Sequence, residues 1–292
     1  MSLIFEKICI IGVGLIGGSV ARAAKKNGLC SQVIGHGRHV DELDKAISLG
    51  VIDQYELDIA SAVRDADLII VAVPLGVMTS MFEQISGHAK KDAVISDVGS
   101  SKVSVISAAT TAFGELPPGF VPGHPIAGTE KSGVEASFAE LFEGRCCILT
   151  PVQSSAPWAV DKLTHFWEGI GSEVVAMEAQ HHDEVLAATS HVPHVLAFAL
   201  VDTLGQMHER KEIFKYAAGG FRDFTRIASS DPDMWRDICL SNSDAIKHVL
   251  HLFKVELESL EQAIDRKDGV AIENVLQRAK NLRDSYVVKE AV

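Results

Sequence analysis

A six-residue turn near the amino end constrains this chain more than any other stretch. Gly12-Val13-Gly14-Leu15-Ile16-Gly17 follows the β-rich residues 7–11 directly and opens a helix-like segment, residues 19–27, that Gly28 closes. The first glycine permits a tight turn, the second lets the backbone approach a pyrophosphate, and the third lets the helix pack close to the strand. The new helix offers free N–H groups and partial positive charge to phosphates. The spacing predicts a strand–turn–helix that binds a dinucleotide through Gly12, Gly14, Leu15, Ile16 and Gly17. The alternative is a glycine-rich turn used only for packing.

The rest of the first 178 residues fits that unit. Residues 33–35, 68–73, 93–98, 119–122, 146–150 and 173–176 are short apolar runs of strand length, separated by helical segments such as the one ending at Leu49. Runs apolar on both faces predict a parallel sheet covered on both sides, the doubly wound, mostly parallel Rossmann-type α/β pattern. Val73 and Pro74, ending the run at 68–73, join the candidate coenzyme contacts. An acid about 20 residues past the glycines would hold a ribose 2′-hydroxyl and mark NAD. The chain reads Gly35-His36-Gly37-Arg38-His39 there, with no acid before Asp41. Gly37 leaves room beside His39, and Arg38 offers a 2′-phosphate charge-assisted bonds of about 1.5–3 kcal/mol. NADP is expected over NAD, the alternative being that Arg38 is a solvated loop cation.

After residue 178 the pattern turns helical. Residues 180–204, 234–263 and 270–286 carry apolar residues at helical spacing, and no convincing strand remains. This predicts a dinucleotide-binding domain over 1–178 and a second, all-helical substrate and dimerisation domain over 179–292. A thirty-residue apolar-striped run such as 234–263 is long for a small domain's surface, so a homodimer is expected. Composition narrows the partners. With 27 Lys+Arg against 39 Asp+Glu the net charge is −12, which argues against nucleic acid or an anionic membrane surface. Five cysteines without a CxxC pair predict a reducing cytoplasm rather than disulfides or structural zinc. Residues 187–204 come closest to a membrane span, but carry His191, Pro193, His194 and Asp202, so no span is expected.

Three clusters offer chemistry. Asp97-Val98-Gly99-Ser100-Ser101-Lys102 follows a strand, where ligands of open α/β sheets bind. Gly123-His124-Pro125-Ile126-Ala127-Gly128-Thr129-Glu130 presents a histidine on a backbone fixed by glycines and prolines. Thr189-Ser190-His191-Val192-Pro193-His194 puts His191 and His194 on one helix face, with Pro193 expected to kink the helix. The pair has no HExxH or cysteine company, so no metal is expected. Residues 219–226, glycine-rich and aromatic, read as a loop carrying Arg222 and Arg226, local cations for an anionic substrate. Asp231 and Pro232 then read as the N-cap and first residue of a helix.

Taken together, residues 12–17, 97–102, 123–130, 188–194 and 219–235 resemble the prephenate dehydrogenase family, also called arogenate or cyclohexadienyl dehydrogenases, and the resemblance runs to about residue 240. It implies a nucleotide-binding domain with an all-helical dimerisation domain, and oxidative decarboxylation of prephenate or arogenate on the route to tyrosine. It implies a catalytic role for His124 as acceptor of the substrate 4-hydroxyl, worth roughly 10²–10⁴-fold. Ser100 would bond the same hydroxyl and orient the imidazole, Arg226 would hold a carboxylate, and His194 the substrate side chain. Glu130, Thr129 and His191 would support the site, and Trp235 would wall it, supplied across the dimer. The product-like amino acid tyrosine is a candidate feedback inhibitor. A stand-alone dehydrogenase is expected, without a chorismate mutase segment or a regulatory ACT domain. An ordinary imidazole at His124 predicts an acid limb in the rate profile at about 6–7.

Two other readings remain open on the residues alone. A β-hydroxyacid-type dehydrogenase would use a lysine base on a second-domain helix, where this chain offers His191 and His194. A non-catalytic nucleotide-sensing dimer would keep the glycine turn but need not keep Ser100, His124 and Arg226 together.

Overall fold

The computed structural model describes residues 3–129, 131–208 and 210–286. In chain order β1 (Phe5–Ile11), α1 (Leu15–Lys26), β2 (Cys30–His36), α2 (Val40–Ser48), β3 (Gln54–Tyr55) and α3 (Ile59–Val63) come first. Then follow β4 (Leu68–Val71), α4 (Met78–Ile85), β5 (Val94–Asp97), α5 (Lys102–Phe113), β6 (Gly123–Pro125), β7 (Cys146–Leu149), α6 (Pro157–Gly169) and β8 (Glu173–Ala176). From there the chain is helical: α7 (Ala179–Leu186), α8 (Val192–Gln206), α9 (Arg210–Lys215), α10 (Gly219–Thr225), α11 (Pro232–Ser241), α12 (Ser243–Asp265) and α13 (Gly269–Tyr286). Two compact units emerge, Met1–Ser243 and Asp244–Val292.

The larger unit is organised by a five-stranded parallel sheet of order β3-β2-β1-β4-β5, reversing at β1/β4, where doubly wound sheets take their ligands. Strand alternation sends side chains to two separate cores. Ile8, Ile10, Leu68, Ile70 and Val94 pack against α1 and α6, where Phe166 and Trp167 are fully buried. Cys9, Ile11, Ile69, Val71 and Ile95 pack against α3, α4 and α5 through Ile59, Phe82 and Val105. Each buried branched side chain contributes roughly 1.5–3 kcal/mol, so both faces hold the sheet.

Several sequence expectations change. Residues 119–122 are not a full strand; Phe120 makes one parallel bridge to Ile95, and the strand proper is β6, which carries His124 within it. β6 pairs antiparallel with β7 and β7 parallel with β8, a separate three-stranded sheet. The predicted thirty-residue helix over 234–263 is two helices, α11 and α12, broken at Asn242. That residue leaves helical geometry at φ −118° and ψ 34°, because its buried amide is committed to other partners. Residues 219–226 are not a loop: they form α10, followed by a 3₁₀ turn over Arg226–Ser229. Asp231 caps α11 as expected, accepting from the Asp233 and Met234 amides, with Pro232 first in the helix.

α7 and α8 run on through one wide π turn, Ala187–His191. Pro193 explains it: a proline has no N–H for the ladder and its ring crowds the preceding turn, so the backbone widens ahead of it. By length and composition Ala179–Gln206 would suit a membrane span. Within it His182, Asp183 and His191 are buried in a polar network.

Candidate active site

The glycine turn is built as its spacing predicts. Gly12 has φ +95°, and a Cβ there would stand 2.4 Å from the Ala72 carbonyl oxygen. A Cβ on Gly17 would lie 2.1 Å from the Gly12 oxygen, so helix and strand touch backbone to backbone. At Gly14 a Cβ would meet nothing, and no side chain caps α1. The turn thus leaves open space against bare helix amides, which fits a dinucleotide pyrophosphate. Leu15 and Ile16 begin the helix and pack on the core, while Val73 lies under Gly12. Pro74 leads into the 3₁₀ turn Leu75–Val77, whose Gly76 amide donates to Asp237 of α11 at 3.1 Å. Gly37, Arg38 and His39 follow β2, with Arg38 and His39 exposed.

Along the carboxyl edge of the sheet, the next loop is held by a buried charge pair. Lys102, 0% exposed, ion-pairs with Asp97 and donates to the Gly123 carbonyl at 2.6 Å. Asp97 also accepts from the Gly99 amide at 2.7 Å and the Gly123 amide at 3.2 Å. One carboxylate and one ammonium therefore tie the end of β5 to the start of β6 and fix where His124 emerges. Burial lowers the Lys102 pKa, and the Asp97 charge opposes that shift.

His124 is half-buried, and its Nδ1 lies 2.9 Å from His182 Nε2. His182 is fully buried, and its Nδ1 lies 2.8 Å from Asp183 Oδ1. Asp183, on α7, also caps α5: it accepts from the Lys102 amide at 2.7 Å, the Val103 amide at 3.0 Å and the Ser101 hydroxyl at 3.0 Å. These donors hold the Asp183 pKa below the usual carboxylate range despite burial. His124 is pushed well below the ordinary imidazole range, first by burial and then by the Lys102 charge, with the neighbouring rings of His182 and His191 acting in the same direction. It is a neutral ring at physiological pH. The acid limb expected from an ordinary imidazole is accordingly corrected downward.

A second cluster gathers the helical residues. His191, 1% exposed, takes a hydrogen bond at Nδ1 from Asn242 Nδ2 at 3.1 Å, and the same amide donates to the Asp183 carbonyl at 2.7 Å. Burial, the largest influence, brings the His191 pKa down to about 4. His194 donates from Nδ1 to the Ser190 carbonyl at 2.9 Å and stacks on Trp235 at 3.9 Å. Its pKa is lowered, chiefly by burial, with the Arg226 charge adding to the effect. Within one chain Trp235 stands beside both rings, its centroid 6.2 Å from that of His191. His191 Nε2 and Trp235 Nε1 are buried and lack a hydrogen-bond partner among the described residues.

The structure thus brings together His124, His191, His194, Trp235 and Arg226 of the predicted site. Ser100 sits half-buried between β5 and α5, its backbone beside His191. The orienting bond to the His124 ring comes from His182. Thr129 is exposed and lines a separate open pocket of about 290 Å³ with Ile126, Phe138 and Arg145. Glu130 lies outside the described residues. Sequence reasoning missed His182, Asp183, Asn242 and Asp237. His182 and Asp183 lie in the polar run 180–184 of α7, which hides them among residues that read as solvated. Among the described residues no group of three or more His, Cys, Asp or Glu is placed to hold a metal ion.

Comparison with known proteins gives a consistent picture. Residues 20–176 match the family model "Prephenate dehydrogenase, nucleotide-binding domain", and residues 178–278 match "Prephenate dehydrogenase, dimerization domain". The chain is 42% identical to a cyclohexadienyl dehydrogenase of Zymomonas mobilis, over 91% of each protein. It is 36% identical to a prephenate dehydrogenase of Bacillus subtilis, over 99% of this chain and 78% of that one. A crystal structure of prephenate dehydrogenase from Aquifex aeolicus, in complex with hydroxyphenyl propionate and NAD+, superimposes with a TM-score of 0.89. That similarity covers 98% of this chain and 99% of the other, at 35% identity.

Proposed function

The chain belongs to the prephenate dehydrogenase family, and from that premise we propose how its own residues carry out the reaction. It is a nicotinamide-dependent dehydrogenase that oxidatively decarboxylates prephenate or arogenate in tyrosine biosynthesis, giving 4-hydroxyphenylpyruvate or tyrosine. The observation that carries the mechanism is the neutral His124 ring, set at the carboxyl edge of the coenzyme sheet.

The chemistry supplied by the bound coenzyme is hydride acceptance from the substrate C4. His124 takes the 4-hydroxyl proton as the C4–H bond breaks, and loss of CO2 then makes the ring aromatic. Ser100 bonds the same hydroxyl, and Arg226 holds a substrate carboxylate. The buried Trp235 N–H finds an acceptor in the anionic substrate, which relieves about 1–3 kcal/mol. His194 receives the substrate side chain and Trp235 walls the pocket. Glu130 and Thr129 keep the supporting roles that the family resemblance implies. The protein's contribution is orientation and charge placement in a site that excludes water.

NADP is the preferred coenzyme in this reading, supported by Arg38 beyond β2 and the lack of an acid there, although the Aquifex aeolicus relative was crystallised with NAD+. The functional division falls at 178/179, with residues 179–292 contributing to the substrate pocket and forming the interface of a homodimer. Its setting is the cytoplasm, and tyrosine competes with substrate as a feedback inhibitor. Steady-state rates with prephenate and arogenate, each with NAD and NADP, test the assignment. Turnover of neither substrate overturns the function, and a higher kcat/KM with NAD overturns the coenzyme preference.

A further inference from the structure

We propose that His182, anchored by Asp183, is a positioning residue that keeps the His124 proton on Nδ1 and leaves Nε2 as the bare nitrogen facing the substrate hydroxyl. The identity of that hydroxyl rests on the dehydrogenase reading; the protonation of the ring does not.

The argument runs along the hydrogen-bond chain from its least ambiguous end. Asp183 receives two backbone amides, from Lys102 and Val103, and the Ser101 hydroxyl. A carboxylate held by amide donors is ionised and only accepts. The fourth partner, His182 Nδ1 at 2.8 Å, must therefore carry a proton. In a neutral His182 the other nitrogen, Nε2, is then a lone pair. It lies 2.9 Å from His124 Nδ1, so His124 donates there. A neutral His124 has one ring proton, and this bond uses it. Nε2 is left bare.

A histidine in water favours the opposite arrangement, so the relay reverses the default. The competing state is a His182 carrying both protons, which would donate to His124 and move its proton to Nε2. The groups facing the two rings are Asp183, Lys102 with its partner Asp97, and His191, whose pKa burial lowers to about 4. Lys102 opposes a second cation in this buried space. The same carboxylate that sets the tautomer also caps α5, directly after Ser100, so one side chain aligns both groups expected at the hydroxyl. An aspartate that fixes a catalytic histidine's tautomer is known to matter by about 10⁴-fold in serine proteases.

Nitrogen-15 NMR of histidine-labelled protein, assigned with His124→Asn, reads the tautomer directly at neutral pH. We expect a protonated Nδ1 and a bare Nε2 on His124. His182→Leu removes the acceptor; its His124 proton should redistribute to Nε2, with kcat lowered about 100-fold or more and coenzyme affinity unchanged. His182→Gln, whose amide oxygen still accepts from Nδ1, should recover most of the rate and the wild-type tautomer. A wild-type spectrum with the proton on Nε2 overturns the proposal, as do equal kcat values in wild type, His182→Leu and His182→Gln. If the leucine variant fails to fold, the wild-type spectrum decides alone. Failure of the dehydrogenase assignment would appear as absent turnover in wild type, with the NMR result unaffected.

Discussion

In the proposed mechanism His124 works only as a neutral acceptor, and the protein favours that state by surroundings rather than by sequence neighbours. Burial lowers its pKa first, and the nearby Lys102 charge, delivered by a different strand end, lowers it further. The acid limb of kcat/KM, which reports the free enzyme, should therefore lie well below 6.5; a limb at 6–7 would mean the ring is more solvated than it is here. His124→Asn should reduce kcat by roughly 10²–10⁴-fold while coenzyme titration stays normal. Arg226→Ala is expected to act on KM for the substrate, since it removes a cation from the site without touching the proton acceptor. An unchanged KM would remove the carboxylate role.

At the scale of elements, the site is assembled by polar ties between segments far apart in the chain. Asp97 and Lys102 join β5 to β6, Asp183 caps α5 from α7, and Asn242 joins α7 to the π turn. Such ties are expensive to break singly. Lys102→Ala leaves Asp97 buried without its countercharge and should lower unfolding stability by about 3–5 kcal/mol, read as a fall in the urea midpoint at constant slope. A loss under 1 kcal/mol would mean water reaches Asp97. The Gly76–Asp237 bond ties the 3₁₀ turn after Pro74 to the helix bearing Trp235, so the elements proposed to hold coenzyme and substrate share one contact.

For the whole molecule, two histidines with lowered pKa values, His191 buried and His124 half-buried, shape the response to acid. His124 and His191 have folded pKa values below the unfolded value of about 6.5. Below that pH the unfolded chain binds protons that the native state refuses, so native stability falls as pH drops, by up to roughly 1.4 kcal/mol per unit for each ring. For His191 the decline ends near its folded pKa of about 4. Denaturant titrations between pH 7 and 5 should show this loss, and a His191→Phe variant should show less of it. Association is the other property of this scale. Within the smaller unit α12 exposes Leu252, Val255 and Leu257, and α13 exposes Leu276 and Leu282, apolar faces that a second copy would cover. Sedimentation at micromolar concentration should give a dimer; a monomer would remove that part of the proposal.

The sequence by itself determined the parts whose physics is local. Gly12, Gly14 and Gly17 specify their turn because positive φ, open approach and backbone contact each exclude a side chain at a fixed spacing. Alternating apolar runs specify a sheet buried on both faces, and Asp231-Pro232 specifies a helix start. Tertiary structure alone decided the rest, because a hydrogen bond between residues 58 apart in the chain, His124 to His182, leaves no periodic trace. His182 and Asp183 looked like ordinary helix residues until folding brought them under β6 and the start of α5. Asn242 broke a helix that apolar spacing ran straight through, since its amide satisfies Asp183 and His191 better than solvent would. In the proposed relay, which nitrogen of the His124 ring carries the proton is set by those distant partners.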